Sequence, residues 1–245
     1  MTVPHWWLRE SLLLTAAAVV ATLIFWHTDL DLQVASFFYG ISKGMPWAID
    51  SAFWQALYGS ALWLSIAIAS TGCLLVIVGC WRKDLKPWRR YGVFMVLGLA
   101  IGPGLLVNAV FKDHWGRPRP KALVEFGGTE HYVPPLMFNG AGDGKSFPCG
   151  HASAGFSLIS LWFIVRDMRR NRGVPLPRQL PSPFLRPPLL HTPLVLALIW
   201  GGLLGWVRMM QGGHFLSDVL WSFFITLATH YLLFLFMFIR QGQVH

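Results

Sequence analysis

The stretch Arg208-Met-Met-Gln-Gly-Gly-His214-Phe-Leu-Ser-Asp218 lies between two long apolar runs. A cation closes the first run, and a histidine opens the second. Asp218 follows His214 by four residues, a spacing that on a helix puts both on one face. A carboxylate so placed can hold an imidazole in one tautomer and make the histidine a base or a nucleophile. The same residues can instead form a polar cap at the end of a membrane helix. The rest of the chain bears on that choice.

The 245 residues are 54% hydrophobic and only 13% charged. An ordinary soluble domain carries roughly twice that charge. Thirteen Trp and eighteen Phe suit a lipid-facing surface with aromatic belts. The composition therefore predicts an all-α polytopic membrane protein. Cys73 and Cys80 fall in one apolar run and read as packing residues, whereas Cys149 stands alone in a polar segment. The spacing matches neither a disulfide framework nor a zinc site. The first apolar run ends in Phe25-Trp26-His27 without a small-residue cleavage site, so it reads as a retained helix.

Six spans are expected, at 11–26, 61–81, 91–111, 151–165, 189–207 and 214–239, forming one domain over 1–245. A helix at the interface fits the segment between the first two, and Pro103 predicts a kink in the third. Residues 82–90 hold five Lys/Arg and 166–188 hold six Arg. In a six-span layout both stretches share a side with Arg9 and Arg240, which the positive-inside rule makes the cytoplasm. Both termini are then cytoplasmic, and a bacterial inner membrane fits. The net charge of +9 thus marks topology, and a nucleic-acid partner is excluded. The oligomeric state is not encoded in any pattern here.

The loop 112–150 breaks the charge rule. It should lie outside, yet it carries Lys112, Arg117, Arg119, Lys121 and Lys145. A cation cluster on the wrong side of a membrane calls for an anionic ligand, or for anionic lipid headgroups. Placed on the six-span layout, Lys112, His151, Arg208, His214 and Asp218 all fall at outer helix ends. Lys112, Arg119 and Arg208 can surround a tetrahedral oxyanion. Pro148-Cys149-Gly150-His151 runs into a helix start, where free amides favour phosphate and Gly150 permits close approach. His214, held by Asp218, can attack phosphorus, and His151 can protonate the leaving oxygen and then activate water. This chemistry needs no metal and no cofactor.

Other readings of these residues exist. Two His and one Asp also form a facial-triad metal set, but three cations would repel a divalent ion. A cysteine phosphatase needs an arginine six residues after its Cys, and position 155 is Gly155. His114, between Lys112 and Arg119, could line the site; His131 reads as a solvated bystander. His230 is mid-span and reads as packing or an interhelical hydrogen bond.

Lys112-x6-Arg119-Pro120, Pro148-Cys149-Gly150-His151 and Arg208-x5-His214-x3-Asp218 together resemble the three motifs of the type-2 phosphatidic acid phosphatases. These membrane lipid phosphatases share a core with acid phosphatases and vanadium haloperoxidases. The motif match covers about 91–218, and the six-span layout covers the whole chain. The resemblance implies that Lys112, Arg119 and Arg208 bind phosphate, with Cys149 and Gly150 beside them. It implies His151 as acid/base, His214 as nucleophile and Asp218 as its orienting partner. Cys149 and Val207 stand where the family usually has serine. A lipid phosphate or pyrophosphate in the bilayer is then the substrate, of the phosphatidic acid, phosphatidylglycerol phosphate, isoprenyl pyrophosphate or lipid A class. A phosphotransferase and a non-catalytic lipid-phosphate binder are the alternatives.

Overall fold

The computed structural model describes residues 5–41, 47, 51–140, 142–170 and 191–239. Helices dominate, and no strand occurs among the described residues, which carry only two isolated bridges, Gly116 to Gly144 and Leu123 to Glu130. The helices are α1 (His5–His27), α2 (Leu30–Ile41), α3 (Ala52–Trp81), α4 (Trp88–Lys112), α5 (Gly150–Phe156), α6 (Ile159–Arg170), α7 (Thr192–Met210) and α8 (Leu216–Ile239). Five of them, α1, α3, α4, α7 and α8, are long and apolar enough to cross a membrane. The chain is a polytopic all-α membrane protein. The fourth expected span is two helices, α5 and α6, interrupted at Ser157-Leu158. The segment 171–190 and Arg240, counted above for topology, lie outside the described residues.

Lipid does not drive helices together by hydrophobicity, so close backbone packing must do it. Gly72 and Gly92 set the α3–α4 crossing. A methyl group on Gly92 would fall 2.4 Å from the Gly72 carbonyl oxygen. Gly155 and Gly201 do the same for α5 and α7, where a Gly155 methyl would sit 2.6 Å from the Gly201 Cα. On the lipid side, large apolar residues such as Leu12, Trp63 and Leu232 are exposed, as a bilayer allows.

Proline at 103 does more than bend α4. From Ala100 to Lys112 the helix runs in π form. Proline lacks an N–H and so cannot continue the α ladder. Asn108 Nδ2 donates to the Pro103 carbonyl at 2.7 Å.

One boundary differs from the sequence expectation in a way that matters. Helix α3 begins at Ala52, nine residues before 61, because Ser51 caps it through the Phe53 N–H. Tyr58 is therefore helical. The segment between the first two expected spans forms the helix α2, whose Phe38 packs in a cluster with Cys149, Phe156, Met209 and Val219. At the opposite end, Arg166 pairs with Glu10 through two bonds of 2.7 and 3.0 Å, and Tyr231 donates to the Trp7 carbonyl. These contacts tie α1 to α6 and α8. His230 bonds within its own helix, to the Thr226 carbonyl, and its ring fills the space left by Gly98. It is a packing residue and makes no interhelical hydrogen bond among the described residues.

Candidate active site

The motif residues meet at one end of the bundle, delivered by the end of α4, the loop after it, the α5 start, the end of α7 and the α8 start. Arg208 leaves α7 in the last turn. Two bonds close that helix, Gly213 N–H to the Arg208 carbonyl and Gly212 N–H to the Met209 carbonyl. Gly212 is left-handed, with φ +58°. This is the glycine stop that reverses the chain toward α8. Gly213 has no room for a methyl group, because the Arg208 guanidinium lies 2.6 Å from where it would be. Gln211, not singled out from sequence, accepts a hydrogen bond from Arg208 Nη1.

His214 lies in the turn before α8, not in the helix, and is 1% exposed. Its Nδ1 bonds the Ser146 carbonyl. The Asp218 carboxylate is 3.6 Å from the same nitrogen, too far for a hydrogen bond. Asp218 therefore faces the imidazole as an ion-pair partner, and the hydrogen bond that orients the ring comes from elsewhere. The backbone of Ser146 holds it, and Asp218 holds Ser146 by accepting from its hydroxyl at 2.6 Å. Asp218 also accepts from the Phe215 N–H at 2.8 Å and so caps α8. Both roles read from the sequence, cap and partner, belong to one carboxylate. A carbonyl on Nδ1 requires the proton there, leaving Nε2 with the lone pair. Burial disfavours the imidazolium, but the Cys149 and Asp218 side chains outweigh it and raise the proton affinity of His214 above the ordinary value.

Arg117 corrects an expectation. The sequence placed it among cations awaiting an anion. It is fully buried and already paired, bonding Asp218 and, at 2.8 Å, Asp31. It also donates to Ser217 Oγ and to the Val133 carbonyl, and stacks over Phe215. Asp31 in turn accepts from the Ser217 N–H and from Tyr132. No sequence signal linked Asp31 to this site, because it comes from α2. Lys145 pairs with Asp113 at the surface, and Lys121 is exposed. Of the five loop cations, Lys112 and Arg119 reach the site. His114 and His131 are exposed.

Lys112 lies within electrostatic reach of Arg119 and Arg208, and His151 within reach of Lys112, Arg208 and His214. Arg119 holds its proton less tightly than usual, through burial and the neighbouring Arg208. Three buried nitrogens here lack a hydrogen-bond partner: Nε of Arg119, Nε of Arg208 and Nε2 of His214. Cys149 is fully buried beside His214, and its N–H donates to the Asp218 carbonyl at 3.2 Å. That amide is therefore not free for phosphate. Gly150 opens α5 with Asn108 Oδ1 only 2.7 Å from where a methyl group would sit. Tyr58, also missed from sequence, stacks on His151 with ring centroids 4.3 Å apart and lies under the Arg208 guanidinium. A cavity of about 460 Å³ leads from Lys112, Gly150 and His151 between α3 and α4, past Leu62, Leu99 and Pro103. No group of three or more His, Cys, Asp or Glu suited to a metal occurs among the described residues.

Two arginines, a lysine, two histidines and a buried carboxylate at the end of a helical bundle define a phosphate-handling membrane enzyme. Residues 92–241 match the PAP2 superfamily. A lipid A 4'-phosphatase of Francisella tularensis subsp. novicida is 32% identical over 204 residues, covering 82% of this chain and 83% of that protein. A lipid A 4'-phosphatase of Rhizobium leguminosarum is 32% identical over 203 residues, 80% of this chain and 76% of its own. One from Rhizobium etli is 34% identical over 123 residues, 49% of this chain and 40% of its own. No solved structure matches. The chain belongs to the PAP2 superfamily, as an integral membrane phosphatase of lipid phosphates.

Proposed function

We propose that the chain removes the 4'-phosphate of lipid A, or of a closely related glycolipid, through a phosphohistidine on His214. The observation that carries this reading is that Nε2 of His214 and the Nε atoms of Arg119 and Arg208 are buried without partners around His151, which interacts with both His214 and Arg208. Burying such donors without an acceptor costs about 1–3 kcal/mol each, and a phosphate would supply the acceptors. The substrate choice is supported by the names of the relatives, two of which match over most of their length.

In the first step the Nε2 lone pair of His214 forms an N–P bond. The P–O bond to the lipid breaks, and the leaving oxygen takes a proton from His151. Lys112, Arg119 and Arg208 carry the charge on the three remaining oxygens. In the second step water attacks phosphorus and gives its proton to His151. The N–P bond then breaks and inorganic phosphate leaves. The cavity between α3 and α4 supports a lipid whose tail stays in the bilayer while its phosphate reaches Lys112 and His151. The basic stretch 82–90 lies at the opposite helix ends, which supports a site facing outward from the cytoplasm.

Phosphate release by purified protein in detergent tests this. Lipid A, phosphatidic acid, phosphatidylglycerol phosphate and an isoprenyl pyrophosphate are offered with and without EDTA, beside His214→Ala. Release fastest from lipid A, insensitive to EDTA and absent in the variant is expected. Release equal in His214→Ala would sink the phosphohistidine route, and EDTA-sensitive release would restore a metal. A phosphatase would give free phosphate, whereas a transferase would move the label to a second lipid.

A further inference from the structure

We infer that Tyr58 is a positioning residue for His151, fixing the plane of the proton-donating ring. The inference rests on the acid/base role proposed for His151.

The two histidines of the site are held in opposite ways. His214 is bonded at Nδ1 by the Ser146 carbonyl and is buried. Among the described residues no hydrogen bond reaches the His151 ring. What meets it is the face of Tyr58, with centroids 4.3 Å apart and planes inclined by 27°. Tyr58 is itself fixed. It packs against the buried cluster of Leu57, Ala61, Ala154, Leu204 and Val207. The Arg208 guanidinium lies over its ring at 5.4 Å, and Arg119 is within electrostatic range.

A tyrosine near a membrane helix end commonly belongs to the lipid-facing aromatic belt. Tyr58 instead turns inward and touches residues from the α5 start and the α7 end. The arrangement suits the two tasks of His151. It gives a proton to the lipid oxygen in one step and takes one from water in the next, and in two in-line displacements both oxygens occupy the position opposite Nε2 of His214. One fixed ring therefore serves both steps, and a stacked face holds that ring by its plane without occupying either nitrogen.

The test separates proton delivery from folding by the leaving group. Octyl phosphate leaves as an alkoxide that needs the proton, whereas nitrophenyl phosphate leaves as a stable phenolate that does not. The first-turnover burst is measured for wild type, Tyr58→Phe, Tyr58→Leu and His151→Ala. Tyr58→Leu is expected to slow the octyl burst by about tenfold or more, part of the roughly 100-fold or greater contribution of a general acid. Its nitrophenolate burst and KM should stay within about twofold of wild type, and Tyr58→Phe, which keeps the stack, should restore the octyl burst. Equal loss on both substrates, or no loss on either, would overturn the inference, as would a Phe variant no better than Leu. His151→Ala is the control on the underlying reading. If it fails to discriminate the two substrates, the proton-donor role itself falls, whatever Tyr58 does.

Discussion

Arg117 and Asp31 meet at 2.8 Å, 86 residues apart in sequence, with side chains 0% and 1% exposed. The same guanidinium bonds Asp218. One buried cation thus joins α2 to the carboxylate that caps α8 and holds Ser146 below the nucleophile. Removing one partner of such a group leaves an uncompensated charge, which costs about 3–5 kcal/mol. Asp31→Ala and Arg117→Leu should each lower the unfolding temperature in detergent and abolish activity. Arg117→Lys keeps the charge but loses the fork, so it should be intermediate. An unchanged unfolding temperature in Asp31→Ala would show that the network does not stabilise the fold.

Ser146 and Asp218 should behave differently. The Ser146 carbonyl, which bonds His214, survives Ser146→Ala, and only the hydroxyl bridge to Asp218 is lost. That variant should lose about 1 kcal/mol of stability and keep much of its rate. Asp218→Asn strikes the Arg117 pair, the α8 cap and the field at His214 together. It should lose most activity. A near-normal rate in Asp218→Asn would remove Asp218 from the mechanism.

The pH profile should show His214 directly. A nucleophile needs a free Nε2, so protonation stops the reaction. Because Cys149 and Asp218 raise the proton affinity of His214, the acid limb should lie above the ordinary histidine value of about 6.5. The rate should then fall by about tenfold per unit as the pH drops further. A rate that stays flat down to about pH 5 would exclude His214 as the titrating nucleophile.

Cys149→Ser restores the residue usual at this point in the family. The side chain is buried beside His214, and its amide serves the Asp218 carbonyl in either case. Activity should be kept or raised, with the acid limb moving toward lower pH as the thiol contribution is lost. Complete loss, measured as phosphate release, would give the thiol a role of its own.

The sequence determined a good deal by itself. Bilayer crossing depends on local apolar length, so five of the six expected spans appear as single long helices. The three motifs identified the residue types at the helix ends, because phosphate chemistry demands particular groups at particular spacings. The fates of those groups depended on contacts between distant segments. The motif spacing picks Arg119 for phosphate, but nothing local tells that Arg117, two residues away, is buried and paired. Arg117 is consumed by Asp31 and Asp218, and Arg119 keeps an unpartnered Nε. Tyr58 reads as a loop aromatic until Ser51 is seen to cap a helix that begins earlier. The His214–Asp218 spacing suggested direct contact, but His214 sits before the helix, and a carbonyl from another segment takes its N–H. In a bilayer, burial is set by the helix pattern. The pairing of a buried charge is set by which segments meet, and only the tertiary structure contains that.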